Sequence, residues 1–171
     1  MKNAIVTGAS NGIGLEISKK LSENNYYVGM IDIDKENLLK ESENISNSVA
    51  IEGDVTNEDS IKNALDTFNK TPDLIVNNAG IVIFGGLEEQ TIEDFKKSVN
   101  VSLIGSYLVS RLAIDSMIKK GSGCIINMSS INGVHPGPGT GGYPPAKAGI
   151  VSLTQQMSIE WGPYGIRTNS I

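Results

Sequence analysis

Apolar residues recur along this chain in two rhythms. Short runs at Ala4 to Thr7, Tyr26 to Ile31, Ser48 to Ile51, Asp73 to Val76, Cys124 to Met128 and Ile166 to Ile171 predict six strands. Between them, apolar positions return every three or four residues and predict helices. These cover Ile13 to Glu23, a segment capped by Asp34 and running to about Ile45, and one capped by Asn57 and running to Asn69. A long helix is predicted from about Thr91 to Lys119 and another from about Pro144 to Trp161. Ile131 to Gly142 follows neither rhythm; its five glycines and two prolines predict a loop. Strands alternating with helices, with few tight hairpin signals, imply parallel βαβ units. Right-handed crossovers then build an open α/β sheet with helices on both faces.

At 171 residues the chain is expected to form a single domain, residues 1–171. Apolar residues make up 39% and charged ones 19%, a globular composition. The net charge of -5, without a block of like charges, speaks against nucleic acid or an anionic membrane as partner. Cys124 is the one cysteine, so no internal disulfide is possible, and its apolar neighbours Ile125 and Ile126 mark it as a small core residue. Met1-Lys2-Asn3 passes directly into the first strand and leaves no room for a secretory leader. No stretch approaches the roughly 18 unbroken apolar residues of a membrane helix. A cytoplasmic protein is therefore expected, with no metal-ligand set.

The chemistry begins at the first strand-to-helix turn, Thr7-Gly8-Ala9-Ser10-Asn11-Gly12-Ile13-Gly14. Close approach of a diphosphate needs bare backbone, which Gly8, Gly12 and Gly14 offer, and a helix N-terminus adds unpaired N–H donors. A glycine cluster alone also suits a tight structural turn. Asp32 strengthens the ligand reading. It ends the second strand eighteen residues after Gly14, near the roughly 20 expected of a carboxylate that accepts from ribose hydroxyls. Such a carboxylate repels a 2′-phosphate, and neither Asn11 nor Ile33 supplies a cation to hold one. NAD is thus expected over NADP. Asp54-Val55 ends the third strand and suits the adenine; Asn77-Asn78-Ala79-Gly80 ends the fourth and suits the nicotinamide-side ribose. Open α/β sheets bind ligands at such strand C-termini.

A second constellation lies downstream. Tyr143 follows Ser130 by thirteen residues, and Lys147 follows Tyr143 by four. One helical turn places Tyr143 and Lys147 on a common face. A free phenol titrates at about 10, and a nearby ammonium stabilises phenolate and lowers that value. Tyr143 is therefore the candidate acid/base, Lys147 its electrostatic partner, and Ser130 the donor to a substrate oxygen where charge develops. His135, the sole histidine, reads as a loop or specificity residue.

Together these segments, with Asn100, Ser129-Ser130, Tyr143-Pro144-Pro145-Ala146-Lys147 and the tail Gly165 to Ile171, resemble the short-chain dehydrogenase/reductase family from end to end. The resemblance implies a Rossmann-type doubly wound parallel sheet, usually in a dimer or tetramer. It also implies that Lys147 holds the nicotinamide ribose and that Asn100 holds a water linking Lys147 to solvent. The expected activity is hydride transfer between NAD(H) and a secondary alcohol or ketone. The alternatives are an NADPH-dependent 3-oxoacyl carrier-protein reductase and a catalytically silent NAD-binding protein.

Two features depart from the family pattern. Pro144 disfavours the α region for Tyr143, so the helix is expected to begin just after the tyrosine and to swing its hydroxyl relative to Lys147. Similar enzymes also continue beyond the sixth strand through a substrate-covering segment, so a C-terminally truncated sheet edge is expected. Finally, the helices from Val101 to Lys119 and from Ala146 to Trp161 carry apolar residues beyond one face, which predicts a two-fold dimer built on them.

Overall fold

The computed structural model describes residues 1–171. Six parallel strands form one sheet: β1 (Lys2–Thr7), β2 (Tyr26–Asp32), β3 (Ser48–Glu52), β4 (Leu74–Asn77), β5 (Gly123–Asn127) and β6 (Ile166–Ser170). Their order is β3-β2-β1-β4-β5-β6. The chain builds outward from β1 in one direction, then returns to start again at β4. The β1/β4 junction is therefore the topological switch point, where an open α/β sheet leaves a crevice at its strand C-termini.

Six helices connect the strands: α1 (Gly12–Glu23), α2 (Lys35–Ser42), α3 (Glu58–Phe68), α4 (Ile92–Val99), α5 (Gly105–Lys120) and α6 (Tyr143–Trp161). Pleating sends alternate strand residues to opposite faces. Ile5, Ile75 and Ile125 lie in register and meet Ile61, Phe68, Val109, Ile114 and Met117 from α3 and α5. Val6, Val28, Met30 and Val76 point the other way, onto Leu15 of α1 and Leu38 of α2. Burial of such side chains contributes roughly 1.5–3 kcal/mol each relative to exposure.

The predicted caps are present. Asp34 accepts from the Asn37 amide at 3.1 Å, and Asn57 accepts from Ser60 at 2.9 Å. Helix α2 stops at Ser42, short of the expected Ile45, because the chain turns there and tucks Ile45 into the core. Thr91 and Asp94 form a reciprocal capping box at the start of α4. The long predicted helix is one continuous helical run, Ile92–Lys120, but it contains a π-helical turn at Asn100–Ile104. By length and composition this run could cross a membrane. Here Val109, Ala113, Ile114 and Met117 on its inner side pack against the sheet.

The expectation at Pro144-Pro145 is corrected. Helix α6 begins at Tyr143 itself, with both prolines in its first turn. First-turn N–H groups have no intrahelical acceptor, so residues without them cost nothing there. The Tyr143 amide donates to Thr140 O at 3.0 Å, and Gly142 O accepts from Ala146 at 3.2 Å.

Candidate active site

Along the switch point runs an open cleft of about 600 Å³, within the range of small-molecule and cofactor sites. Its floor is the β1–α1 turn. Gly8 and Gly12 have φ of +65° and +52°, left-handed values that L side chains rarely adopt. Gly14 serves packing instead, since a Cβ there would stand 2.1 Å from Gly8 O. The turn is clipped to the end of β4. Buried Thr7 Oγ1 accepts from the amides of Asn78 and Ala79, both at 3.1 Å. Asn78 Nδ2 in return donates to Thr7 O at 3.0 Å and Gly8 O at 3.1 Å.

Asp32 is fixed at the end of β2. One carboxylate oxygen accepts from the Ser10 amide and the other from the Asp34 amide, each at 3.0 Å. Asn37 holds the carbonyl of the same residue, donating to Ser10 O at 2.6 Å. Lys35, the nearest cation along the chain, is paired with Glu52 at 2.9 Å. Asp54 is held by Thr56, whose amide and hydroxyl donate to it at 2.8 and 2.7 Å. Val55 stands beside it, and Gly105 at the head of α5 lets that helix approach: a Cβ at Gly105 would lie 2.8 Å from Val55 Cγ2.

At the other end of the cleft stand Tyr143 and Lys147. Lys147 Nζ lies 5.5 Å from the centroid of the Tyr143 ring, so the two do share a helix face. Lys147 is only 4% exposed. Its ammonium donates to Met128 O at 2.6 Å, and Ser129 Oγ donates to Lys147 O at 2.9 Å. Burial pushes the Lys147 pKa down to about 8. Gly80 leaves room for that ammonium, because a Cβ there would meet Nζ at 3.3 Å.

Gly8, Ser10, Asn11, Ile13, Asp32, Asp54, Val55, Asn78, Ala79, Gly80, Tyr143 and Lys147 thus share one cleft. Five predicted residues stand differently. The Asn77 side chain is in the core, donating to Ser110 Oγ and Asn127 Oδ1 at 2.8 Å each. There it ties β4 to α5 and β5. Ser130, just beyond β5, accepts from the Asn132 amide at 3.2 Å, which leaves its own O–H proton free. Gly12 and Gly14 shape the turn behind the lining. Asn100 opens the π turn and is exposed to solvent.

Sequence reasoning missed Gln90 and Lys97. Gln90 Nε2 donates to Ile83 O at 2.6 Å, and its Oε1 accepts from the Gly142 amide at 2.9 Å. With the Gly85 amide donating to Gly139 O at 2.9 Å, Gln90 joins the loop after β4 to the residues that start α6. Lys97 lines the cleft from α4. Neither residue carries a sequence signal, since a loop glutamine and a helix-surface lysine look ordinary until the fold brings them to the cleft.

A cleft of this kind, at the switch point of a parallel sheet and with glycine at its floor, is that of a dinucleotide-binding protein; a tyrosine and a buried lysine at its end give it the means to move a proton. Comparison with known proteins narrows that class. The family model described as short chain dehydrogenase matches residues 2–171, and the chain belongs to that family of nicotinamide-dependent oxidoreductases. It is 35% identical to an uncharacterized oxidoreductase of Thermotoga maritima, over 99% of this chain and 70% of that protein. An NAD-dependent glycerol dehydrogenase of Listeria innocua is 34% identical, over 99% of this chain and 68% of that protein. A 3-oxoacyl-(acyl-carrier-protein) reductase of Chlamydia trachomatis is 38% identical, over 99% of this chain and 72% of that protein. The chain thus spans about 70% of the length of these relatives.

Proposed function

We propose that the protein transfers a hydride between NAD(H) and a secondary alcohol or ketone, with Tyr143 as the acid/base. The nicotinamide, when bound, gives or takes the hydride. The chain's own residues bind, orient and move the proton. Gly8 to Ile13 present bare backbone and the α1 N-terminus to a diphosphate. Asp54 and Val55 flank the adenine, and Asn78, Ala79 and Gly80 line the nicotinamide end. Tyr143 gives its phenolic proton to a carbonyl oxygen in reduction, or takes the hydroxyl proton in oxidation. Lys147 favours the phenolate by its charge and holds the nearby ribose. Ser130, already an acceptor from Asn132, keeps its proton to donate to the same substrate oxygen.

The observation that carries the choice of cofactor is the setting of Asp32. Its carboxylate is anchored by two backbone amides, and Lys35 is engaged with Glu52. A ribose with free hydroxyls can donate to such a group, whereas a 2′-phosphate there meets an anion. The alcohol reading draws support from the Listeria glycerol dehydrogenase. A carrier-protein reductase reading draws support from the Chlamydia relative, but the loops flanking Tyr143, 78–91 and 128–142, contain Glu88 and Glu89 and no lysine or arginine for an anionic group. The approach of Lys147 to Tyr143 favours a working enzyme over a silent binding protein. Titration calorimetry with NAD and NADP tests the cofactor directly. NAD is expected to bind at least about tenfold more tightly, a difference of roughly 1.4 kcal/mol. Asp32→Ala is expected to narrow that gap. Equal affinities in the unmodified protein overturn the assignment.

A further inference from the structure

Helix α6 has no cap within its own sequence. Gly142 at its N-cap has no side chain to accept from the first turn. In a capping box the third helical residue reaches back to the N-cap amide. Here that residue is Pro145, whose side chain carries no acceptor. Gln90 takes over this task from 52 residues away: its Oε1 accepts from the buried Gly142 amide at 2.9 Å. Its Nε2 donates to Ile83 O at 2.6 Å, which anchors the glutamine to the loop after β4. A buried N–H that loses its partner destabilises the conformation that buries it.

The chain around Gln90 leaves it space. Gly141 has φ of +44°, and a Cβ there would stand 1.9 Å from Gln90 Oε1. Gly142 lies against Phe95 of α4, where a Cβ would meet the ring at 3.0 Å. Tyr143 comes next in the chain, and it is the residue under opposing pressure. Pro144 disfavours the α region for its predecessor and favours an extended one. Tyr143 is helical all the same, with its ring centroid 5.5 Å from Lys147 Nζ. An extended Tyr143 would carry its ring off the helix face that it shares with Lys147.

We infer that Gln90 is a positioning residue for the reaction: it caps α6 from outside the helix, holds Tyr143 in the α region against Pro144, and so keeps the phenol beside Lys147. This rests on Tyr143 having the role proposed above. Gln90 is not among the residues that line the cleft and acts through the Gly142 backbone. One consequence separates this role from general support of a loop. A clamp that works against Pro144 becomes dispensable once that proline is replaced.

The test reads the approach of Tyr143 to Lys147 by NMR, as the Overhauser contact between the tyrosine ring protons and the lysine Cε protons. It is run without cofactor and is independent of turnover. Gln90→Met keeps the length of the side chain and removes both hydrogen bonds, and is expected to lose most of that contact. Gln90→Met combined with Pro144→Ala is expected to regain it. In turnover, Gln90→Met should lower kcat by about tenfold or more with NAD affinity unchanged, since a misplacement of about 1 Å can cost 10²-fold. The second substitution should restore most of the loss. A contact retained in Gln90→Met, a loss that Pro144→Ala does not restore, or full kcat in a variant without the contact would each overturn the inference. Hydrogen exchange at the Gly142 amide of the unmodified protein serves if the variants fail to fold: protection is expected, and exchange at the open-chain rate would overturn the inference as well. Retained turnover in Tyr143→Phe bears on the function proposed above and leaves the contact and exchange results standing, so the two can fail separately.

Discussion

At Lys147 the fold buries an ammonium to 4% exposure and gives it the Met128 carbonyl as its acceptor. Because burial lowers its pKa from 10.5 to about 8, the folded chain holds fewer protons than the unfolded chain between those two values. Stability rises with pH wherever the unfolded state binds more protons. This one residue therefore adds stability as pH climbs from about 8 toward 10.5, on the order of 3 kcal/mol if the whole shift is realised. Urea unfolding of the wild type and of Lys147→Met isolates the effect. The wild type should gain on the variant steadily between pH 8 and pH 10, and a constant difference across that range would contradict the account. At this scale the sequence is uneven in what it shows. The spacing of Tyr143 and Lys147 was legible because four residues make one helical turn. The placement of Gln90 was not, because a loop glutamine gains its meaning from its bond to the Gly142 amide, which no apolar rhythm announces.

Among the elements, α5 and α6 show how far patterning reaches. Their apolar positions predict helices correctly, and Val109, Met117, Ile150 and Met157 are buried as a core face requires. Other positions remain outside. Ile104 and Tyr107 are about half exposed, and Ile159 is more so. These positions on the outer sides of the two helices form the surface on which we propose a two-fold dimer, since apolar area of this kind marks association more often than free surface. Sedimentation velocity at micromolar concentration should show a dimer or a larger even assembly, with Tyr107→Glu shifting the population toward monomer. A monomer at that concentration in the unmodified protein would rule the interface out. The first turn of α6 teaches the opposite lesson about local rules. Pro144 biases its predecessor away from the helix, yet Tyr143 is helical, because the Gly142 amide is held by Gln90 and Tyr143 donates to Thr140. A long-range clamp outweighs a local preference of this size, and nothing at positions 143–145 reveals a partner 52 residues away.

Across the whole molecule, the alternation of strands and helices was enough to give a parallel sheet, and the switch point then decided where ligands go. Asp32, Asp54 and Gly80 are distant in sequence and share one cleft because each ends a strand or follows it directly. Asn77 was assigned to that cleft for the same reason, but its side chain turns inward to bond Ser110 and Asn127; residues at a strand end alternate in direction, and placement alone does not say which one faces the ligand. The central claim is that this cleft moves a hydride and a proton together, with the proton on Tyr143. Its most direct test is the turnover of Tyr143→Phe with NAD and a panel of secondary alcohols, alongside its affinity for NAD. The ring still packs in the variant, and only the ionisable hydroxyl is lost. Turnover should fall by about 10² to 10⁴-fold, the usual contribution of a positioned acid/base, while NAD affinity stays within about twofold, or roughly 0.4 kcal/mol. Near-normal turnover in Tyr143→Phe would contradict the account.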